Sequence, residues 1–358
     1  MRLTLRADAS TAIGYGHLSR AVALGTAATR RGLDVRLVSC RPDSSMRAFV
    51  AGAPLALHST DAAPGSEEDA QATRDVSGAG SIVIVDGYAF EGPYLAKLGG
   101  EDRTVVYVDD LFHDRLPCDV VLDPNVSAST RRYRTPRETS LQSAHSPTYL
   151  LGPSYAIVAD RFVEARALRV ATRPHEPETT ARLLVTMGGS DPPGATLAVI
   201  NALGELNLPR MTVRIVVGGA NPRRDLIRGA AAASTLHDVE VRDAVADMAA
   251  EMSWADLVVT ASGVTSTELA CIGVAGLSLP IVTNQEPIAA AQAKLGLYEV
   301  LAIGSRPPDI RAAIERLAPD RERRAALVER QRQTIDGQGK ERILDRLLAF
   351  HAQRRHNH

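Results

Sequence analysis

Cysteine is scarce: Cys40, Cys118 and Cys271 lie far apart in 358 residues, with no Cys-x-x-Cys pair. That excludes a disulfide framework and a thiolate metal site, and leaves buried thiols in a reducing cytosol as the expectation. Aromatic residues are also few, at 4% with a single tryptophan. A chain rich in Ala, Val and Leu instead suits helices packed on parallel strands that are apolar on both faces. Neither sign of charge dominates, for 41 Lys and Arg against 42 Asp and Glu give a formal net charge of −1. No basic face is offered to nucleic acid or anionic lipid, so neither is expected as a partner. The N-terminus enters a strand without a charged n-region and apolar h-region, and the longest nearly apolar run, 269–282, is too short for a bilayer. The expectation is a cytoplasmic chain without a membrane segment. With 45% hydrophobic and 23% charged residues it is neither disordered nor fibrous, and is long enough for two cores.

Short apolar strands alternate with helical segments in both halves. Residues 2–7, 34–39, 81–86 and 104–109 read as strands in the first half, and 182–187, 212–217 and 256–260 in the second. Each half therefore reads as a doubly wound β/α domain. Between them the apolar periodicity fails over 172–180, where two prolines and dense charge prevent a core-forming element, and the linker is expected there. The domains expected are 1–171 and 181–337. A C-terminal segment, 338–358, follows, with a helix from about Gln338 to Phe350 and a basic, solvated tail over 353–358. Loops are expected at 59–66 and 134–145.

Chemistry concentrates where strands break into glycine. After the first strand the chain reads Arg6-Ala-Asp8-Ala-Ser10, then Ile13-Gly14-Tyr-Gly16-His17-Leu-Ser-Arg20, with apolar residues at helical spacing from Leu18 through Val22, Ala23 and Ala27. Gly14 and Gly16 permit positive φ and close approach of a ligand, and the amides of the helix start favour an anion. His17 enters the helix at the edge where such sheets bind ligands, or else caps it in a packing turn. In the second half Leu183-Leu-Val-Thr-Met187 breaks into Gly188-Gly189-Ser190-Asp191-Pro-Pro-Gly194. That run reads as a phosphate cradle or a plain structural turn, and is neither a P-loop nor a dinucleotide fingerprint. Ser262, Gly263, Thr265, Ser266, Thr267 and Glu268 begin a helix, either capping it or presenting hydroxyls and a carboxylate to a ligand. Asn284, Gln285 and Glu286 precede Pro287 as a polar cluster or an ordinary cap loop. Asp86-Gly87-Tyr88 and Asp109-Asp110 end two strands of the first half, and the paired aspartates could align water, hold the loop near Asn125 or take a divalent cation. No histidine or further acidic residue has metal-motif spacing, so no metal is expected.

Arg-x-Asp-x-Ser, Ile-Gly-x-Gly-His and the trailing Arg20 together closely resemble the nucleotide-sugar hydrolase family of pseudaminic acid biosynthesis. The resemblance continues through Asp86 to Tyr88, Asp109-Asp110, Asn125, Leu151-Gly-Pro-Ser-Tyr155, Met187 to Asp191, Ser262 to Glu268 and Asn284 to Glu286, most of the chain. That family removes UDP from an amino-sugar nucleotide, a UDP-diacetamido-trideoxyhexose. The resemblance implies an α/β fold of GT-B architecture: two doubly wound Rossmann-like domains with the active site in the cleft between them. Closure would use 172–180 as part of the hinge, and the C-terminal helix would pack back on the first domain. It implies nucleotide binding by Gly188, Gly189, Ser190, Asp191, Ser262, Gly263, Thr265, Ser266, Thr267 and Glu268, with Glu268 on the ribose. It implies a sugar pocket lined by Gly14, Gly16, Arg20, Asn125, Asn284, Gln285 and Glu286, no cofactor, no metal, and as partners a UDP-sugar and other enzymes of a sugar pathway. Gly87 departs from the family, which has histidine there.

Cleaving a glycosyl phosphate needs little leaving-group acid, because UDP is a stable anion when held by glycine amides and helix starts. It needs an aimed nucleophile. An imidazole titrating near ~6.5 when unperturbed can take a proton from water, with His17 as that base, Asp8 or Asp86 fixing its tautomer and Tyr88 against the sugar. Attack at C1 opposite the nucleotide inverts the sugar with no covalent intermediate. A nucleotide-sugar hydrolase is therefore expected. The alternative is an inverting glycosyltransferase of the same architecture using a sugar, lipid or natural-product hydroxyl. A noncatalytic nucleotide-sugar-binding subunit is a further one, against which intact His17, Glu268 and Asn284 argue.

Overall fold

The computed structural model describes residues 1–9, 14–100, 102–113, 116–128, 147–173, 175–243 and 245–356. Ser10 and Ile13 of the first glycine turn, the loop expected over 134–145, and the last two residues of the tail lie outside them. The chain divides into two compact units, Met1–Ala159 together with Gly337–His358, and Asp160–Asp336.

The first unit is built on β1 (Arg2–Ala7), β2 (Asp34–Cys40), β3 (Ala56–Thr60), β4 (Ser81–Asp86), β5 (Arg103–Val108), β6 (Val120–Asp123) and β7 (Thr148–Leu151), interleaved with α1 (Gly16–Arg30), α2 (Ser44–Val50), α3 (Glu67–Ser77) and α4 (Gly92–Leu98). All seven strands are parallel, in the order β3-β2-β1-β4-β5-β6-β7, with Leu5 of β1 opposite both Leu37 and Ile84. Successive side chains of β4 go to opposite faces, as strand pleating requires. Ile82 and Ile84 join Leu18 and Leu24 of α1, while Val83 and Val85 join Ala70 of α3 and Tyr94, Leu95 and Leu98 of α4. Burial on both faces explains why these strands read as unbroken apolar runs. The winding reverses between β1 and β4, so the loops leaving these two strands diverge and open a crevice at their C-terminal ends. His17 follows β1 and Asp86 ends β4.

The second unit repeats the plan with β8 (Arg182–Thr186), β9 (Thr212–Val217), β10 (Asp238–Asp243), β11 (Leu257–Ala261), β12 (Gly276–Leu279) and β13 (Glu299–Val300), parallel in the order β10-β9-β8-β11-β12-β13. Its helices are α5 (Asp160–Thr172), α6 (Ala195–Leu203), α7 (Arg224–Ala232), α8 (Met248–Trp254), α9 (Val264–Ile272), α10 (Glu286–Leu295), α11 (Pro307–Leu317) and α12 (Arg321–Thr334). Here the winding reverses between β8 and β11, the two strands that release the glycine loop and the Ser262 to Glu268 segment.

The chain passes between the units at residues 159–160 and 336–337, not at 172–180. The reason is tertiary. Helix ends leave carbonyls without intrahelical partners, and arginines of α5 satisfy those of its neighbours. Arg169 donates to the carbonyls of Gly273, Ser253 and Ala255 at 3.0, 2.9 and 2.8 Å, and Arg166 to those of Ile335 and Arg332 at 2.8 and 3.0 Å. Segment 172–180 is fastened to the same unit, with Thr180 Oγ1 donating to Ala318 O at 2.8 Å and Arg321 Nε to Glu176 O at 3.0 Å. It is a strap within one unit, not the expected hinge.

The last helix, α13 (Gly339–His356), belongs to the first unit. Ile343, Leu344 and Leu347 enter the core beside α1, and His351 Nδ1 shares a 2.9 Å hydrogen bond with Thr104 Oγ1 of β5. The tail expected to be solvated is exposed at Gln353, Arg355 and His356, but it is helical to His356 and tied down where Arg354 pairs with Asp119 and donates to Gly100 O at 3.0 Å. No helix among the described residues is long and apolar enough to cross a membrane.

The start of α13 lies against backbone. A Cβ at Gly339 would stand 2.7 Å from Ala156 N and closer still to its carbonyl oxygen. Gly339→Ala is therefore expected to destabilise the first unit by about 1–3 kcal/mol, the scale of forced overpacking. Urea unfolding followed by circular dichroism checks this, and an unchanged midpoint would mean that the helix start yields without cost.

Candidate functional site

In the first unit β1 gives way to Gly14, which is left-handed at φ +77°, and α1 begins at Gly16 with no side chain capping it. Gly16 is thus an ordinary helical residue, and only Gly14 has the positive φ expected of both. His17 and Arg20 lie three apart and share one helix face. They are 5% and 6% exposed. His17 Nδ1 lies 2.6 Å from Asp86 Oδ1. Arg20 Nε donates to Asp86 Oδ2 at 2.9 Å, and Nη1 to Asp110 Oδ1 at 3.0 Å. Arg20 Nη2 donates to Asp86 Oδ1 at 2.8 Å and to Asp110 Oδ2 at 2.7 Å, and stands 2.9 Å from His17 Nδ1. A guanidinium Nη has two hydrogens, and the carboxylates take both. Nδ1 therefore keeps its own proton for Asp86, and the ring presents the lone pair of Nε2, which no described residue bonds.

Burial pushes the Asp86 carboxyl up, but the Arg20 charge and the His17 contact outweigh it and hold the group below the usual carboxylate range. Tyr88, 44% exposed, sets its ring edge-on to His17 with centroids 4.6 Å apart. Gly87 between them has φ +155°, and a Cβ there would stand 2.8 Å from the Phe90 ring, so this backbone does not accept the histidine that the resembled family carries.

Several expected roles change. Arg20, expected in the sugar pocket, has four of its five N–H groups on Asp86 and Asp110. Asn125 uses its side-chain amide on Asp110 Oδ1 at 2.8 Å and Asp123 Oδ1 at 2.9 Å, so it positions the acidic pair. Asp8 does not touch His17: it accepts from Ser39 Oγ at 2.9 Å and Cys40 N at 2.7 Å and pairs with Arg6, which places it at the end of β2. Asp109 folds its own turn by accepting from Leu111 N and His113 N at 3.0 and 2.8 Å. Ligand atoms of His17, Asp86 and Asp110 lie within 4.8 Å of one another, a spacing that suits a divalent ion. Arg20 already joins both carboxylates and supplies positive charge at that point.

In the second unit Gly188 is left-handed at φ +77°, and open space lies where side chains of Gly188 and Gly189 would stand. Ser190 is half-buried at the same loop. Asp191 faces inward and caps α6, accepting from Ala195 N at 2.7 Å and Thr196 N at 2.9 Å. The first two amides of α6 are therefore occupied, whereas the glycine loop itself stays open. Ser262 and Ser266 are also turned inward. Ser262 Oγ shares a 2.7 Å bond with Ser278 Oγ, which donates to Gln292 Oε1 at 2.6 Å; Gln292 Nε2 donates to Ser266 Oγ at 2.7 Å, and Ser266 Oγ to Gly263 O at 2.6 Å. This chain of hydroxyls fixes the turn and offers a ligand nothing. No side chain caps α9, so neither Thr265, Thr267 nor Glu268 has the capping role, and all three are half-buried. Gln285 accepts from Ile281 N at 3.0 Å, while Asn284 and Glu286 beside it are exposed. Sequence reasoning missed the loop after β9, Gly218-Gly-Ala-Asn-Pro-Arg-Arg224, although the same break of an apolar strand into glycine marks it.

The architecture of both units is that of the GT-B class: two parallel-sheet Rossmann-like α/β domains. Among solved structures the chain is similar to a glycosyltransferase from Rickettsia africae ESF-5 (TM-score 0.66, 9% identity, 100% of this chain and 99% of that one). It is similar also to LpCGTa in complex with UDP (TM-score 0.61, 12% identity, 98% and 99%). At such identities the likeness is one of fold. In sequence it is similar to the spore coat polysaccharide biosynthesis protein SpsG of Bacillus subtilis (strain 168), 27% identical over 191 residues, 52% of this chain. The match spans about half of that relative, 54% of its length. No protein-family model matches the chain.

Burial pushes the Glu268 carboxyl up to about 7, with the Arg161 charge opposing, and no described residue hydrogen-bonds it. An unfolded glutamate titrates near ~4.3, so the native state holds this proton more tightly. The resulting stabilisation is complete below the unfolded pKa and lost as pH rises through 7. Glu268→Gln, which cannot ionise, is expected to unfold at higher urea than the parent protein at pH 8, with the difference vanishing by pH 4. A difference independent of pH would mean that this carboxyl titrates normally.

Proposed function

We propose that the chain transfers a glycosyl group from a nucleoside-diphosphate sugar to an acceptor hydroxyl, with His17 as the base that takes the acceptor's proton. The observation that carries this reading is the orientation of His17: Nδ1 is held by an ionised Asp86, itself clamped by Arg20, and Nε2 is left unbonded by the described residues. Asp86 fixes which ring nitrogen carries the proton and leaves the other as acceptor. An imidazole so held can take the proton of a hydroxyl as it attacks C1. The second unit supplies the nucleotide side. The open faces of Gly188 and Gly189, the uncapped start of α9 and the Glu268 carboxylate, which can accept from ribose hydroxyls, are its means. The UDP held by LpCGTa and the activity named for the Rickettsia protein support the same ligand class. The relative named for spore coat polysaccharide biosynthesis points to a saccharide acceptor.

These likenesses favour transfer over the hydrolysis expected from the sequence. Hydrolysis is the second reading on one observation, the motif run from Arg6 through His17 to Arg20. Water in the acceptor position would use His17 in the same way.

Release of UDP from candidate UDP-amino-sugars, measured with and without saccharide acceptors, separates the two. Transfer requires that release depend on the acceptor, whereas release without one, with oxygen from labelled water at C1, selects hydrolysis. Label in the UDP phosphate would sink both. His17→Asn is expected to lower turnover by ~10²-fold or more while UDP binding persists, and a variant retaining most of its turnover would remove His17 as the base. Because Arg20 supplies the positive charge between Asp86 and Asp110, EDTA is expected to leave turnover intact. A loss restored by magnesium would instead assign those carboxylates to a cation.

A further inference from the structure

Asp191 complicates the nucleotide side of this reading. Its carboxylate, 1% exposed, occupies the first amides of α6, so negative charge stands where a diphosphate would otherwise meet a helix start. Positive charge at the glycine loop has to come from another element. The loop leaving β9 lies directly against it. Ala220 N donates to Gly189 O at 3.1 Å, and a Cβ on Gly218 would run into the carbonyl oxygens of Gly188 and Gly189. Asn221, buried, fixes this second loop: its backbone N donates to Gly218 O at 3.1 Å, and its Oδ1 accepts from Arg223 N at 2.9 Å. The Arg223 side chain is thereby laid over Gly194, with Cδ and Nε 3.4 Å from where a Cβ would stand, and Nη1 donates to Asp191 O at 3.2 Å. No described carboxylate pairs with Arg223, and its Nε and Nη2 have no described partner. One residue thus fastens both sides of the loop, Asp191 binding α6 through its side chain and Arg223 through its carbonyl.

We propose that Arg223 is a diphosphate-binding residue, closing with its free N–H groups on the anion that sits over Gly188 and Gly189. The assignment rests on the nucleotide reading above. A guanidinium presents a planar fork that matches two phosphate oxygens, and here it is held in place before the ligand arrives by Asn221 and by the Asp191 carbonyl. The bare glycine faces admit the phosphates to backbone distance. The helix dipole blocked by Asp191 is replaced by a full charge from the neighbouring strand's loop.

Calorimetric titration of the full chain with UDP, repeated in the presence of inorganic pyrophosphate, tests the assignment on the parent protein, Arg223→Gln and Arg223→Lys. Arg223→Gln is expected to weaken UDP roughly tenfold, the scale of a lost charged hydrogen bond, and to abolish competition by pyrophosphate. Arg223→Lys keeps the stem and the charge but not the fork, and is expected to recover part of both. Parental UDP affinity in Arg223→Gln overturns the assignment while leaving the nucleotide reading intact. A loss in Arg223→Lys as large as in Arg223→Gln also overturns it, because charge would then count for nothing and packing would be the cause. If the parent protein binds neither UDP nor TDP, the nucleotide reading itself fails and takes this assignment with it.

Discussion

A carboxylate buried at a strand end, like that of Asp86, stays ionised only with a cation against it, and Arg20 is that cation, shared with the half-buried Asp110 of the neighbouring strand end. Its four hydrogen bonds to Asp86 and Asp110 join α1 to the ends of β4 and β5, and Asn125 extends the junction to the end of β6. Everything else at this edge of the sheet follows from the charge balance. Asp86 remains ionised because Arg20 faces it, His17 has a defined tautomer because Asp86 is ionised, and Nε2 is the ring nitrogen that no described residue bonds. Taking away the guanidinium would strand the buried Asp86 carboxylate beside the half-buried Asp110, a far larger perturbation than losing one hydrogen bond.

The second unit uses the same topology with a different division of labour. At its reversal of winding the hydroxyls of Ser262, Ser266 and Ser278 point into the protein and join through Gln292. Asp191 likewise serves the fold. The groups left facing outward are mainly backbone, bare glycine faces and a half-buried glutamate. His17, Arg20, Asp86 and Asp110 thus gather at the reversal of the first unit, whereas the second leaves bare glycine faces and backbone at its own.

Periodicity made the sheets legible. Strands buried on both faces announce themselves as apolar runs, and residues 2–7, 81–86 and 212–217 match β1, β4 and β9 residue for residue. The meeting of His17 with Asp86 was legible too, since both stand where a strand stops and the winding reverses. The direction in which a loop residue points was not legible. Loops have no repeat that fixes it, so Ser262 and Ser266 read as ligand groups although they are buried, and Asp8 read as a partner of His17 although its carboxylate accepts from Ser39 and Cys40 at the end of β2. The unit boundary failed for a related reason. Where α5 packs is decided by carbonyls of Gly273, Ser253 and Ala255, roughly a hundred residues further along the chain and absent from any local pattern.

The placement of α13 reverses the order in which the two units mature. Asp336 completes the second unit, whereas the first, begun at Met1, still lacks Ile343, Leu344 and Leu347 from the core beside α1. During synthesis the residues that complete the second unit precede α13, so the second unit is complete in sequence while the first still lacks the helix that covers its apolar face. The earliest strands are thus the longest exposed to wrong partners, and the last eighteen helical residues are the ones that end that exposure.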